Sequence, residues 1–159
     1  MSNTETISTP RFDVNKAKLR NIKIVSFNTN DNNGETKRSE IESFNSQFSF
    51  TSRFMLEHKI VRLETSLTFT AFQENRKISD VGGRLIVLFE YQVDNISDFI
   101  QGDIKPEGTK MDAILATNLL GIAYSTLRGI FYVKAQDTIL ENLMLPIVNP
   151  LDLIQSQAI

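Results

Sequence analysis

Four phenylalanines spaced two or four residues apart constrain this chain more than any other feature. Phe44, Phe48, Phe50 and Phe54 fall with Ser46 and Ser52 on one side of an extended segment. Asn45, Gln47, Ser49, Thr51 and Arg53 fall on the other side. A β-strand, with its period of two, separates the two sets cleanly. A slip of one residue would turn four rings into water, so the register of this strand is strongly specified.

The same pattern recurs in both directions along the chain. In IVRLETSLTFTAF, Val61, Leu63, Leu67, Phe69 and Ala71 oppose Arg62, Glu64, Ser66, Thr68 and Thr70. A turn at Gln73 to Lys77 and a bend at Gly82-Gly83 lead into RLIVLFEYQV. That strand has Leu85, Val87, Phe89, Tyr91 and Val93 on one side. Its other side opens with Ile86 and Leu88 and turns polar at Glu90 and Gln92, which points to a second contact such as a subunit partner. Upstream, LRNIKIVSF from Leu19 to Phe27 has Ile22 and Ile24 on one face and Lys23, Val25 and Phe27 on the other. The polar NTNDNNGETKRSE that follows is longer than a tight hairpin needs and reads as a mobile surface loop.

Strands with one apolar face need a helical layer to cover them. The stretch Glu107 to Ile154 supplies it. Thr109 is placed to cap a long helix, with Asp112 at the third helical position. Met111, Ile114, Leu115, Leu119, Ile122 and Leu127 form a stripe that Leu120, Tyr124 and Ile130 widen, as in a helix buried on more than one side. An irregular crossover holding Phe131, Tyr132 and Val133 is expected next. Asn149 before Pro150 then starts a short helix.

Composition narrows the function. A length of 159 residues suits one domain with its own core. A net charge of −2 gives no basic field to recommend a nucleic-acid partner. The absence of cysteine removes disulfide and thiolate chemistry. No charged segment followed by an apolar core opens the chain, and Asn118, Gly121, Ser125 and Thr126 interrupt its longest uncharged run. No membrane span and a cytoplasmic address are therefore expected.

Chemistry-bearing residues are sparse. His58 is the only histidine, too few for a zinc site, and reads as a solvated surface ring. Asp94 and Asp98 read as loop solvation, and Gly82-Gly83 lacks the strand-to-helix setting of a phosphate loop. Ser66 and Ser125 have no histidine base in any motif. No enzyme, cofactor or metal is expected, so function is sought in surface and shape.

Four strands, a long helix, an apolar crossover and a short helix together resemble the SecB-like protein-export chaperone family. The ending LPIVNPLDLI, Leu145 to Ile154, is similar to that family's LxPVNFDxL-like close. Glu107-Gly108-Thr109 with Met111 resembles the entrance to its long helix, and Arg128 matches an arginine late in that helix. Leu88-Phe89-Glu90-Tyr91-Gln92 is similar to the stretch whose carboxylate contacts the export ATPase SecA. The resemblance covers about Leu19 to Ile154. It implies an α+β fold, a four-stranded antiparallel sheet covered by a long helix and a short C-terminal helix. It also implies one SecB-like domain over 19–159; Met1 to Thr9, rich in Ser, Thr and Asn, reads as a loose arm, and a flexible N-terminal arm is expected over 1–18. The chain departs from the family in the first strand, where Ile24 and Asn28 stand near positions expected to be acidic, and in GIAYST, where Gly121 replaces an aromatic-proline kink.

The function so implied is a holdase for unfolded polypeptides, serving export or a dedicated client such as an antitoxin. Such a protein needs exposed apolar surface with a polar rim and gains avidity from several sites on an oligomer. The expected client-binding residues are Phe48, Phe50 and Phe54, then Phe131, Tyr132 and Val133, and finally Leu143, Leu145, Leu151 and Leu153. Glu90 is the residue expected to meet SecA. A homo-oligomer, dimer or tetramer, is expected, with contacts at the fourth strand and long helix. The alternatives are an apolar small-ligand binder and a purely structural oligomer subunit.

Overall fold

The structure is a computed structural model and describes residues 10–100 and 111–155. The alternating segments form β1 (Ala17–Asp31), β2 (Ser43–Met55), β3 (Ile60–Gln73) and β4 (Arg76–Val93). They make one antiparallel sheet in the order β1-β4-β3-β2. Helices α1 (Ala113–Lys134) and α2 (Pro150–Gln155) complete the α+β fold. β2 and β3 pair without interruption from Ser43–Phe72 to Met55–Ile60, which places Phe44, Phe48, Phe50 and Phe54 beside Ala71, Leu67, Thr65 and Val61. The phenyl-bearing face is the face toward α1, as the alternation requires. Thr65 falls among these apolar side chains and is buried, and its hydroxyl is satisfied by donating to the Val87 carbonyl at 3.0 Å.

The sheet is wider than the helix that covers it. Four strands span roughly 19 Å at about 4.8 Å each, while a helix with its side chains is about 10–12 Å across. α1 buries Leu115, Leu119, Leu120, Ala123, Leu127 and Phe131 with the inner residues of β3 and β4. Phe131 stacks on Phe69 with ring centroids 4.5 Å apart, and the Tyr91 hydroxyl donates to the Leu119 carbonyl at 3.2 Å. On the β1 flank the cover runs out. Leu19, Ile22 and Ile24 share the inner face with Tyr91, Phe89 and Val87, yet each stays about two-fifths exposed.

Several expectations need correction. The polar stretch after the first strand is not all loop: β1 continues to Asp31, and a 3₁₀ turn spans Arg38–Glu40. Register shifts in β1 at Arg20 and Val25 mark bulges, and the second places Phe27 opposite Leu85, on the same face as Ile22 and Ile24. Gly82 and Gly83 lie inside β4 rather than before it; the hairpin turn is Glu74-Asn75, both at positive φ. The cap of α1 is Asp112, whose carboxylate accepts from the Ile114 amide at 2.8 Å. Thr109, expected in that role, lies outside the described residues, as do Met1 to Thr9 of the expected arm. The sheet begins at Ala17, two residues before Leu19, after a 3₁₀ turn capped by Asp13. His58 sits in the exposed turn Leu56–His58 ahead of β3. Ile122, placed in the buried stripe, is exposed, and Ala116 and Ala123 are buried instead. By length and composition α1 is apolar enough to cross a membrane, and in this fold eight of its residues are buried against the rest of the protein.

Phe131, Tyr132 and Val133 do not form an irregular crossover. They are the last turns of α1, which ends at Lys134. The irregular segment starts later and runs to Asn149. There the sequence reading holds: the Asn149 side chain accepts from the Leu151 amide at 3.1 Å and opens α2 at Pro150.

Gly82 sets the clearest test of this architecture. Its φ is +152°, and a Cβ there would lie 2.0 Å from the Phe69 carbonyl oxygen, which is backbone and cannot move aside. Gly82→Ala should destabilise the fold by about 2 kcal/mol or more. Thermal or urea unfolding monitored by circular dichroism will measure it; an unchanged midpoint would contradict the close approach of β3 and β4 here.

Candidate functional site

The segment Leu143–Asn149 crosses α1 as an extended strap, and two side chains of α1 fasten it. The Tyr124 hydroxyl donates to the Pro146 carbonyl at 3.1 Å, and Arg128 Nε donates to the Leu145 carbonyl at 3.2 Å. These residues lie four apart, on one side of the helix, which is why both reach one strap. Burial raises the pKa of the Tyr124 hydroxyl, with the Arg128 charge pulling the other way, so the phenol remains a donor. Gly121, one turn earlier, lets α2 approach: a Cβ there would come within 3.1 Å of the Pro150 ring.

Each side of the strap leaves an open groove. The first, about 450 Å³, lies between β2 and the strap and is lined by Ser46, Gln47, Phe48, Leu67 and Tyr124, then by residues 146–149, Asp152 and Leu153. Tyr124 meets Phe48 edge-on across it at 5.5 Å. The second, about 290 Å³, lies between the strap and the end of α1, lined by Ser125, Arg128, Gly129, Phe131, Tyr132 and residues 143–145. Among the described residues no group of His, Cys, Asp and Glu is placed to hold a metal ion.

The expected site residues divide between these places. Phe48 and Leu153 line the first groove; Phe131, Tyr132, Leu143 and Leu145 line the second. Phe50, Phe54, Val133 and Leu151 line neither. Phe131, Leu145 and Leu153 are largely buried, Phe131 only 1% exposed, and belong to the core as much as to a surface. Tyr132, Val133 and Leu151 are exposed, and Phe48, Phe50, Phe54 and Leu143 are half-buried. The sequence reading missed Tyr124, Met144 and Ile147. Tyr124 was assigned to a helix stripe, and the other two sit in a strap whose path has no periodicity to betray it.

Glu90, the expected motor contact, points to the opposite face of the sheet and is already engaged. Arg62 on β3 pairs with its carboxylate, and Asn21 Nδ2 on β1 donates to it at 3.3 Å. The Arg62 hydrogen bond, then that from Asn21, holds the carboxyl below the usual range, with slight desolvation opposing. A cationic partner would have to displace Arg62.

A depressed folded-state pKa means that the stabilisation from Glu90 is fully present above the unfolded-state value, about 4.3, and is lost as the pH falls through the lower folded value. The melting difference between wild type and Glu90→Gln should therefore be small but present near neutrality, about 0.2–1 kcal/mol for a part-exposed pair, and vanish in acid. A difference that grows on acidification would contradict it. At the end of α1, Phe131→Ser should cost about 3–5 kcal/mol while its neighbour Tyr132→Ser costs less than about 1 kcal/mol. Equal losses in urea unfolding would rule out this division between core and surface.

No family model matches the chain, and no curated protein matches it. Among solved structures, the chain is similar to the Mycobacterium tuberculosis Rv1957 SecB-like chaperone in complex with a ChAD peptide from the Rv1956 HigA1 antitoxin. That likeness has a TM-score of 0.59 at 14% identity and covers 84% of this chain and 92% of that one. A protein of unknown function from Streptococcus agalactiae gives a TM-score of 0.39 at 9% identity, over 82% of this chain and 97% of that one. The first likeness is one of fold: an antiparallel sheet beneath a long helix and a short C-terminal helix, resembling SecB-like architecture.

Proposed function

We propose that the protein is a chaperone of the holding type, which keeps unfolded polypeptide segments in the two grooves beside the strap. The observation that carries this reading is the strap itself. Two of its carbonyls are held by α1 side chains, and open, partly apolar grooves flank it on both sides. A groove of this kind accepts extended segments of varied sequence, because apolar contact is non-directional and the rim is polar. The peptide-bound SecB-like chaperone of similar fold supports the dedicated-client version, an antitoxin being the model client.

In this reading Phe48, Tyr132, Leu143 and Leu153 contact clients from the groove walls, and Phe131 and Leu145 form the groove floor. Phe50, Phe54, Val133 and Leu151 extend the apolar surface beyond the walls. Export through SecA, with Glu90 as its contact, is the less supported version because Arg62 already occupies that carboxylate. A single domain over 19–159, a cytoplasmic address and assembly into a dimer or tetramer belong to the same proposal. The uncovered Leu19, Ile22 and Ile24 of β1 and the exposed Ile122 of α1 favour assembly, with β1 joining the expected contacts at β4 and α1.

The test uses residues that project from the strap and the helix end. Tyr132, Met144 and Ile147 are exposed, Ile147 by 86%, so changing all three to Ser should cost within about 1 kcal/mol per site. Suppression of the aggregation of a chemically unfolded substrate should fall, and avidity over several grooves would amplify the loss. A variant that melts normally and still holds its substrate undiminished would overturn the groove assignment.

A further inference from the structure

The face of the sheet turned away from α1 carries charge of the opposite sign to the chain as a whole. Across it, one row runs Asn21, Glu90, Arg62, Arg53, and the next runs Lys23, Leu88, Glu64, Thr51. Two rows further on stand Asn28, Arg84, Thr68 and Gln47, and Lys18 lies opposite Gln92 at the other end. The only ion pair among the described residues is Arg62–Glu90. Lys18, Lys23, Arg53 and Arg84 are exposed and pair with no carboxylate among the described residues, in a chain whose net charge is −2.

Arg53 and Arg62 stand directly opposite each other on neighbouring strands. Like charges in that position destabilise a sheet. Arg62 turns to Glu90, which leaves the Arg53 charge uncompensated beside a depression of about 220 Å³ lined by Thr51, Arg53, Arg62, Glu64 and Leu88. Ile86 and Leu88, half-buried, form an aliphatic strip between the cations.

We propose that this outer face docks an acidic polypeptide segment whose carboxylates pair with Arg53, Arg84 and Lys23 around an aliphatic side chain seated on Ile86 and Leu88. From β2 to β1 the face spans three strand spacings, roughly 14 Å, a distance that four or five extended residues cross. A protein segment fits better than a nucleic acid. The rows between Asn21 and Gln47 offer no aromatic ring for a base to stack on, and Glu64 and Glu90 interrupt the track a phosphate backbone would follow. The inference does not rest on the grooves, which lie on the other side of the sheet.

The experiment is fluorescence anisotropy on the full chain with three labelled probes: a short peptide of Glu and Asp around a central Leu, the same peptide with Lys for each acid, and oligo-dT. The acidic peptide should bind, weaken steeply as ionic strength rises, and bind about tenfold more weakly to Lys23→Glu/Arg84→Glu. The conservative variant Arg53→Gln should weaken it less and serves if the double variant misfolds. The Tyr132, Met144 and Ile147 changes should leave its affinity unaltered, which separates failure here from failure of the holdase reading. Tighter binding of oligo-dT, equal binding of the basic peptide, or indifference of the acidic peptide to both sets of outer-face variants would overturn the proposal.

Discussion

A single helix is too narrow for the sheet it must cover, and most of this structure answers that mismatch. α1 seals the inner faces of β3 and β4, where Leu63, Leu85, Val87 and Phe89 are fully buried. At roughly 1.5–3 kcal/mol for each large side chain removed from water, this seam dominates the stability of the fold. What lies outside the seam is covered differently on each flank. Beside β2 the strap and α2 approach Phe48 without closing over it, and the first groove results. Beside β1 no described residue closes over Leu19, Ile22 and Ile24, which stay about two-fifths exposed.

The strap is the clearest consequence of this mismatch. It owes its position to Tyr124 and Arg128, one helical turn apart, and to the Asn149 cap that turns the chain into α2. Each fastening is a side chain gripping a backbone carbonyl, which leaves the strap's own side chains free to project. Met144 and Ile147 are exposed for this reason, while Leu145 between them turns into the core. One stretch thus both anchors itself through Leu145 and exposes apolar side chains at Met144 and Ile147.

The two faces of the sheet differ in chemistry. The inner face is apolar, and part of it stays exposed along β1. The outer face is polar, with an excess of basic side chains and one internal ion pair. Because strand side chains alternate, two interleaved sets of residues build the two surfaces, and a change on one face leaves the other largely undisturbed.

The sequence alone determined the strands and their faces. The spacing of Phe44, Phe48, Phe50 and Phe54 and of Val61 to Ala71 leaves a single register with all the rings inside, and Asn149-Pro150 marks a helix start through local chemistry. Local rules lost where a backbone irregularity or a distant contact decided. The bulge at Val25 reversed the expected side of Phe27, and Gly82 proved to be the point where β4 crowds Phe69 rather than a bend before the strand. Phe131 to Val133 read as an irregular crossover, yet they are helical, and Phe131 stacks on Phe69 in the last turn of a helix that runs to Lys134. Whether an apolar residue becomes core or groove was decided only by tertiary structure. Phe131 and Tyr132 are adjacent aromatic residues in sequence, and they separate because a helix turns about 100° per residue and the sheet lies on only one side of it.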